Sequence, residues 1–251
     1  MNNYVLTIQY DGSNYNGWQI QTNTTNTIQG ILTDIISNEL NYTIQLIGSG
    51  RTDAGVHALE QVANFHCPNK IDCISFIKKL NLNLPSDIKV ITCKEICNSF
   101  HSRFNAVKKT YTYTICNDCC YDVFTRKFSY MIEDKLDLKA MTAAARLLEG
   151  THDFTNFTNA NDNKSKVRTI YSIDIKSEVR NGVKHIIISY TGDGFLYNMI
   201  RILTGTLIDV GLNQINNDDI SNLLNNTSTR NRHLAGSNLP PCGLCLKKVF
   251  Y

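Results

Sequence analysis

An α+β fold is predicted for this chain of 251 residues, built as two related lobes that share a sheet. Three observations predict it. Short alternating strands are mixed with a few helical stripes, and long crossovers are too few for a doubly wound parallel sheet. The two halves repeat the same strand–helix texture, which sets expected lobes at 1–105 and 106–251 without any residue-level repeat. A hydrophobic content of 42% is enough to bury a real core.

The elements follow in order. Tyr4 to Tyr10 alternates as a strand and ends on the turn signal Asp11-Gly12. A polar loop containing Gly17-Trp18-Gln19 leads to Thr27 to Leu40, whose apolar residues at 28, 31, 32, 35 and 36 form a helical stripe. Ile44 to Ile47 and Val62 to His66 are expected as strands. Ile74 to Leu82 is expected as a helix stopped near Pro85, and Ile88 to Glu95 as a strand. In the second half Thr110 to Ile115 alternates as a strand. Leu138 to Leu148 carries a helical stripe at 138, 141, 145 and 148 and is closed by Gly150. Thr169 to Glu178 and Lys184 to Thr191 are two strands joined by Asn181-Gly182, a strong hairpin turn. Phe195 to Val210 and Asp218 to Leu224 are expected helices, and Leu244 to Tyr251 a final strand.

The formal charge is only +3, a weak pointer to an anionic partner. It is unevenly placed: residues 1–105 carry seven Lys/Arg against eight Asp/Glu, and residues 106–251 carry 18 against 14. The basic clusters are Lys108-Lys109, Arg126-Lys127, Lys164 to Arg168, Arg230 to His233 and Lys247-Lys248. Singly each reads as a solvated face; together they suit a polyanion that touches several loops. No apolar run is long enough to span a membrane, and no basic stretch followed by an apolar core marks a secretory signal, so a cytoplasmic setting is expected. Nine cysteines in irregular spacing agree with a reducing compartment. Cys116-x-x-Cys119 and Cys242-x-x-Cys245 suggest zinc, but more than 120 residues separate them, and no metal site is expected.

Three features carry chemistry. The octapeptide Gly48-Ser49-Gly50-Arg51-Thr52-Asp53-Ala54-Gly55 sets one carboxylate among glycines, beside an arginine, after an apolar run. Asp53 reads either as a turn-capping residue or as a group poised for chemistry. The helix expected over Phe195 to Val210 is apolar on nearly every face, with Arg201 in its middle. Such an arginine either pairs with a carboxylate (Asp53, Asp193 and Asp209 are candidates) or extends its head to water. Tyr111 and Tyr113 share one strand face, as packing rings or as a platform for a planar ligand. Other patterns fail. The Gly48–Gly50 stretch lacks the lysine of a phosphate-binding loop, His152-Asp153 lacks a matching ligand set, and no esterase motif is present.

The chain resembles the tRNA pseudouridine synthase A family. The matching blocks are Tyr10-Asp11-Gly12, Gly17-Trp18-Gln19, Gly50 to Ala58, Gln61-Val62, Phe100 to Phe104 and Tyr111-Thr112-Tyr113. They continue through Gly150 to Phe154, Arg168-Thr169-Ile170, Phe195-Leu196 with Met199-Ile200-Arg201, and Gly243-Leu244. These blocks run in order across nearly the whole chain; the Cys116 to Cys120 cluster falls outside them. The resemblance implies two α+β lobes around a central, mainly antiparallel sheet, with the active cleft between them. It implies isomerisation of uridine to pseudouridine at positions 38, 39 and 40 of the tRNA anticodon arm, by a homodimer without cofactor or metal. Asp53 is then the essential carboxylate. Tyr111 stacks on the uracil, Arg201 pairs with Asp53, and Arg51 fills the gap left by the flipped nucleotide. Arg103 and the loop bearing Lys164, Lys166 and Arg168 are expected to contact RNA phosphates. A tRNA-binding protein or chaperone that keeps the fold without catalysis is the alternative.

Overall fold

A computed structural model describes residues 1–120 and 122–251. The chain divides into two compact units, Met1–Val107 with Cys245–Tyr251, and Lys108–Leu244. The last strand therefore belongs with the first half, where the sequence division at 105 had left it with the second.

In the first unit β1 (Asn2–Tyr10) lies between β3 (His57–Cys67) and β4 (Ile88–Ile96), antiparallel to both. The two-residue β2 (Ile47–Gly48) pairs with β3 through Ile47↔Asn64. The C-terminal β10 (Leu244–Phe250) runs parallel to the start of β3, with Cys245 opposite His57. Period-2 alternation puts Tyr4, Leu6, Ile8 and Tyr10 on one buried face. Two helices complete the unit. In α1 (Ile28–Leu40) the Thr27 side chain accepts from the Gly30 N–H, and α1 buries Ile28, Leu32 and Ile36. In α2 (Cys73–Asn83) Asp72 is the cap, and Phe76 and Leu80 are buried. The ring of Phe65 bridges Tyr4 (5.8 Å) and Phe76 (6.2 Å), tying helix to sheet. Each such buried side chain contributes about 1.5–3 kcal/mol.

In the second unit the strand order is β5 (Lys108–Cys116), β9 (Val183–Gly192), β8 (Val167–Arg180) and β7 (Gly150–Asp153), all antiparallel neighbours. A short β6 (Tyr130–Met131) runs parallel to the end of β5. Asn181 (φ 50°) and Gly182 (φ 80°) form the expected hairpin turn, both in the left-handed region that type I′ turns require. The helices are α3 (Leu138–Leu148), α4 (Met199–Gly211) and α5 (Asn217–Asn225). α3 buries Met141, Ala144, Ala145 and Leu148, close to its expected stripe, and packs on α4, α5 and β8.

Two elements differ from expectation. Ile44 to Ile47 is not a strand over its length: Ile44 and Leu46 are buried, but only Ile47 and Gly48 join the ladder. α4 begins at Met199, not Phe195, because Asn198 takes a left-handed conformation (φ 60°) that ends the preceding turn. No helix among the described residues is long and apolar enough to cross a membrane.

Candidate functional site

In the first unit the turn between β2 and β3 carries Asp53. The turn is closed by backbone, with the Val56 N–H donating to the Asp53 carbonyl (3.1 Å) and Gly55 at φ 78°. The residues on either side are fixed by groups far along the chain. Ser49 Oγ donates to Gln61 Oε1 (2.7 Å), and Gln61 Nε2 donates to the Gly50 carbonyl (2.9 Å). The Trp18 N–H donates to the Thr52 carbonyl (3.0 Å), and the hydroxyls of Tyr10 and Thr52 share a bond of 2.8 Å. Gly55 donates to the Tyr15 carbonyl (3.3 Å). Burial pushes the Tyr10 phenol well above its ordinary range, so it stays protonated and keeps that bond. The result is a half-buried Asp53 flanked by a buried Thr52 and an exposed Arg51.

Two glycines let this packing happen. Gly17 has φ 88°, and a Cβ there would stand 2.6 Å from the Thr52 carbonyl oxygen. At Gly48 a Cβ would stand 2.5 Å from the indole nitrogen of Trp18. Gly12 donates its N–H to His57 Nδ1 (3.0 Å). The Asp11 carboxylate lies 3.1 Å from the same nitrogen. One nitrogen cannot accept and donate at once. The Gly12 bond needs an unprotonated Nδ1, and a bond to Asp11 needs a protonated one. The separated blocks Tyr10-Asp11-Gly12, Gly17-Trp18-Gln19 and Gln61-Val62 are thus the mounting of one turn.

Arg51 Nε donates to Gln19 Oε1 (3.3 Å), and Gln19 Nε2 donates to Gln29 Oε1 (2.7 Å). Gln29 in turn donates to the Leu46 carbonyl (2.8 Å), so this relay steadies an exposed guanidinium. Gln29 acts through partners remote in sequence that local pattern does not reveal, and Thr52, although within the octapeptide, bonds to Tyr10 and Trp18 in a way its neighbours do not show. Arg103 is also exposed, on a loop anchored by buried amides. Asn64 Oδ1 accepts from the Ser102 N–H (2.9 Å), and Asn64 Nδ2 donates to Asn3 Oδ1 (3.0 Å). Arg103 lies over the ring of its exposed neighbour Phe104 (5.7 Å).

In the second unit the two tyrosines of β5 part company. Tyr113 is fully buried, donates to the Pro240 carbonyl (2.8 Å) and is a core residue. Tyr111 keeps 8% of its surface exposed, sits opposite Tyr190 and meets Phe195 edge-on at 5.5 Å and 83°. Arg201 stands in the first turn of α4 and is half-buried. Its Nε donates to the Leu239 carbonyl and its Nη1 to Asn198 Oδ1 (3.0 Å). Of its expected partners, Asp193 accepts from the Thr169 N–H (3.1 Å). Burial alone pushes the Asp209 carboxyl up, the opposite of what an adjacent arginine does.

In the basic loop Lys164 is exposed. The ammonium of Lys166 bonds the Asp162 carboxylate and carbonyl. Arg168 Nη1 donates to the carbonyls of Ser165 (3.2 Å) and Val167 (2.6 Å). His152 and Asp153 are structural: His152 Nε2 bonds the Glu149 carbonyl (2.8 Å), and Asp153 Oδ1 accepts from Thr155. Among the described residues no group of three or more His, Cys, Asp or Glu is arranged to hold a metal ion.

The family model described as tRNA pseudouridine synthase matches residues 6–105 and 144–251. A "tRNA pseudouridine synthase A 2" of Bacillus cereus is 46% identical over 225 residues, covering 89% of this chain and 90% of that protein. The protein of the same name from Clostridium tetani is 43% identical over 251 residues, covering 99% and 98%. A "tRNA pseudouridine synthase A 1" of Protochlamydia amoebophila is 40% identical, covering 100% and 97%. The two matched segments hold Asp53, Arg51, Arg103, Arg201 and the basic loop, while Tyr111 lies between them. On the breadth of this match, the chain belongs to the tRNA pseudouridine synthase family.

Proposed function

We propose that the chain converts uridine to pseudouridine in the anticodon arm of tRNA, at positions 38, 39 and 40. Asp53 is the essential carboxylate. The observation that carries this reading is the mounting of its turn: Tyr10, Tyr15, Gly17, Trp18 and Gln61 all bond to or pack on residues 48–55. A surface turn with no chemistry to perform has no need of such over-determination.

The reaction breaks the bond between ribose and uracil N1, turns the base, and rejoins it through C5, with loss of the C5 proton. It needs a fixed carboxylate and a pocket that keeps the free uracil. Tyr111, at the margin of its core, offers a ring for the base to stack on, and its hydroxyl assists removal of the C5 proton. Arg201 orders the pocket by pairing with a carboxylate. Arg51 enters the stack when the nucleotide flips out, which costs a few kcal/mol. Phosphate contacts from Arg103, Lys164 and Arg168 offset that cost. Lys166 contributes less, because Asp162 already neutralises it. A homodimer that holds tRNA across both subunits, acting in the cytoplasm, completes the proposal; it rests on the family resemblance.

The test is incubation of the protein with unmodified tRNA transcripts, followed by mapping of pseudouridine. Modification at 38, 39 or 40 by wild type, with Asp53→Asn inactive yet still binding, is the expected result. Binding without modification would favour a non-catalytic tRNA-binding protein.

A further inference from the structure

The segment that follows α5 holds a pair of arginines that the reaction described above does not use. Arg230 Nη2 donates to the Thr158 carbonyl (2.6 Å) and its Nη1 reaches Asn161 Oδ1 (3.5 Å). Arg232 Nε donates to Asn159 Oδ1 (3.2 Å), and its Nη1 to the carbonyls of Ala235 (3.2 Å) and Gly236 (2.9 Å). The two guanidiniums therefore share the strip of chain from 158 to 161. Every one of these acceptors is neutral. Among the described residues no carboxylate pairs with either arginine, and Nη2 of Arg232 donates to no protein group. Burial, and then the Arg230 charge, pull the Arg232 guanidinium below its usual range. Two like charges, one of them half-buried, are held together by dipoles alone. Such an arrangement is costly until an anion arrives.

The place of the pair is as informative as its charge. Asn159 donates its N–H to the Tyr197 carbonyl (3.3 Å), and Thr158 Oγ1 donates to the same oxygen (2.8 Å). The next residue, Asn198, accepts from Arg201. The pair is thus joined by one short run of backbone to the arginine assigned to the uridine pocket. Two other basic residues of this unit are paired with carboxylates: Lys166 with Asp162 and Arg180 with Glu178.

We infer that Arg230 and Arg232 form a subsite for one backbone phosphate of the RNA, close to the reacting uridine. This rests on the reading of tRNA as substrate. The planar forks of two arginines match the oxygens of a phosphodiester better than a lysine does. The backbone-anchored forks are pre-set, so little is lost in ordering them on binding.

The test measures binding of an unmodified tRNA transcript to the full-length protein across a salt series, for wild type, Arg230→Gln, Arg232→Gln and the double variant. Each single change is expected to weaken binding about five- to tenfold at ~0.1 M salt and to lower the salt slope by about one. The double variant is expected to lose less than the product of the two, because both grip one phosphate. KM should rise with kcat little changed. Arg232 also ties its own loop, so thermal melting is followed in parallel. Arg230 is exposed, and its variant keeps the question open to a clear answer if Arg232→Gln misfolds. An unchanged salt slope in Arg230→Gln, with wild type active, would overturn the subsite. Fallen melting temperatures with unchanged slopes would overturn it too, by showing a purely structural role. Failure of wild type to modify or bind tRNA would instead overturn the proposed function.

Discussion

The turn that bears Asp53 and the loop that bears Lys164, Lys166 and Arg168 are both polar surface segments, yet they are held in opposite ways. The Asp53 turn is clasped by groups up to 42 residues away, such as the Tyr10 hydroxyl on Thr52. The basic loop is held by its own neighbours. Lys166 bonds Asp162 four residues back, and Arg168 bonds carbonyls one and three residues back. A reacting carboxylate must sit within a fraction of an ångström of its target, and remote packing provides that. A phosphate contact needs charge within reach, and a loop that adjusts serves it better.

Breaking the clasp should produce the largest effect. Trp18→Ala removes a buried indole that fills the space beside Gly48, at a cost of about 3–5 kcal/mol. Chemical denaturation would show the loss, and activity is expected to collapse with it. Tyr10→Phe is a finer cut. It removes one buried hydroxyl bond, worth about 1 kcal/mol. Turnover should fall more than tRNA affinity does, since the turn loosens while the phosphate contacts stay; equal loss of both would blur the distinction between the two regions.

On the other side of the comparison, Lys164→Gln should reduce the salt slope of tRNA binding by about one with kcat unchanged. Lys166→Gln should do less, because the Asp162 carboxylate offsets its charge and Lys166 in turn holds that carboxyl below its usual range. A larger effect at Lys166 than at Lys164 would mean that the ion pair opens on RNA binding.

The smallest expected effect lies in α4. Burial raises the Asp209 carboxyl above its unfolded value. The stability it contributes is therefore fully present below the ordinary carboxyl range and is lost as pH rises through the raised value. Asp209→Asn should melt above wild type at pH 7, with the gap closing below about pH 4. A gap of constant size across that range would remove ionisation as the cause.

Periodic elements were readable because local spacing determines them. The stripe of α1, the capped α3 and the Asn181-Gly182 hairpin all appear near their expected bounds. β7 was not foreseen: Gly150-Thr151-His152-Asp153 has no apolar alternation and exists because β8 pairs with it. Nor could spacing reveal that β10 lies along β3, since Cys245 and His57 lie far apart in the chain. The same division runs through the candidate site. Asp53 stood out because glycines and an arginine surround it. The mounting did not, because bonds such as Tyr10–Thr52 and Ser49–Gln61 leave no periodic trace in sequence. Arg201 was legible as a charge inside an apolar run, whereas its helix start depended on one left-handed asparagine.

The most direct measurement is pseudouridine mapping on unmodified tRNA transcripts with wild type and Asp53→Asn side by side. Wild type is expected to modify positions 38, 39 or 40. Asp53→Asn should lose at least about a hundredfold in rate while binding the same transcripts nearly as well. Substantial modification by Asp53→Asn, or none by wild type, would contradict the assignment of Asp53 as the carboxylate on which the reaction depends.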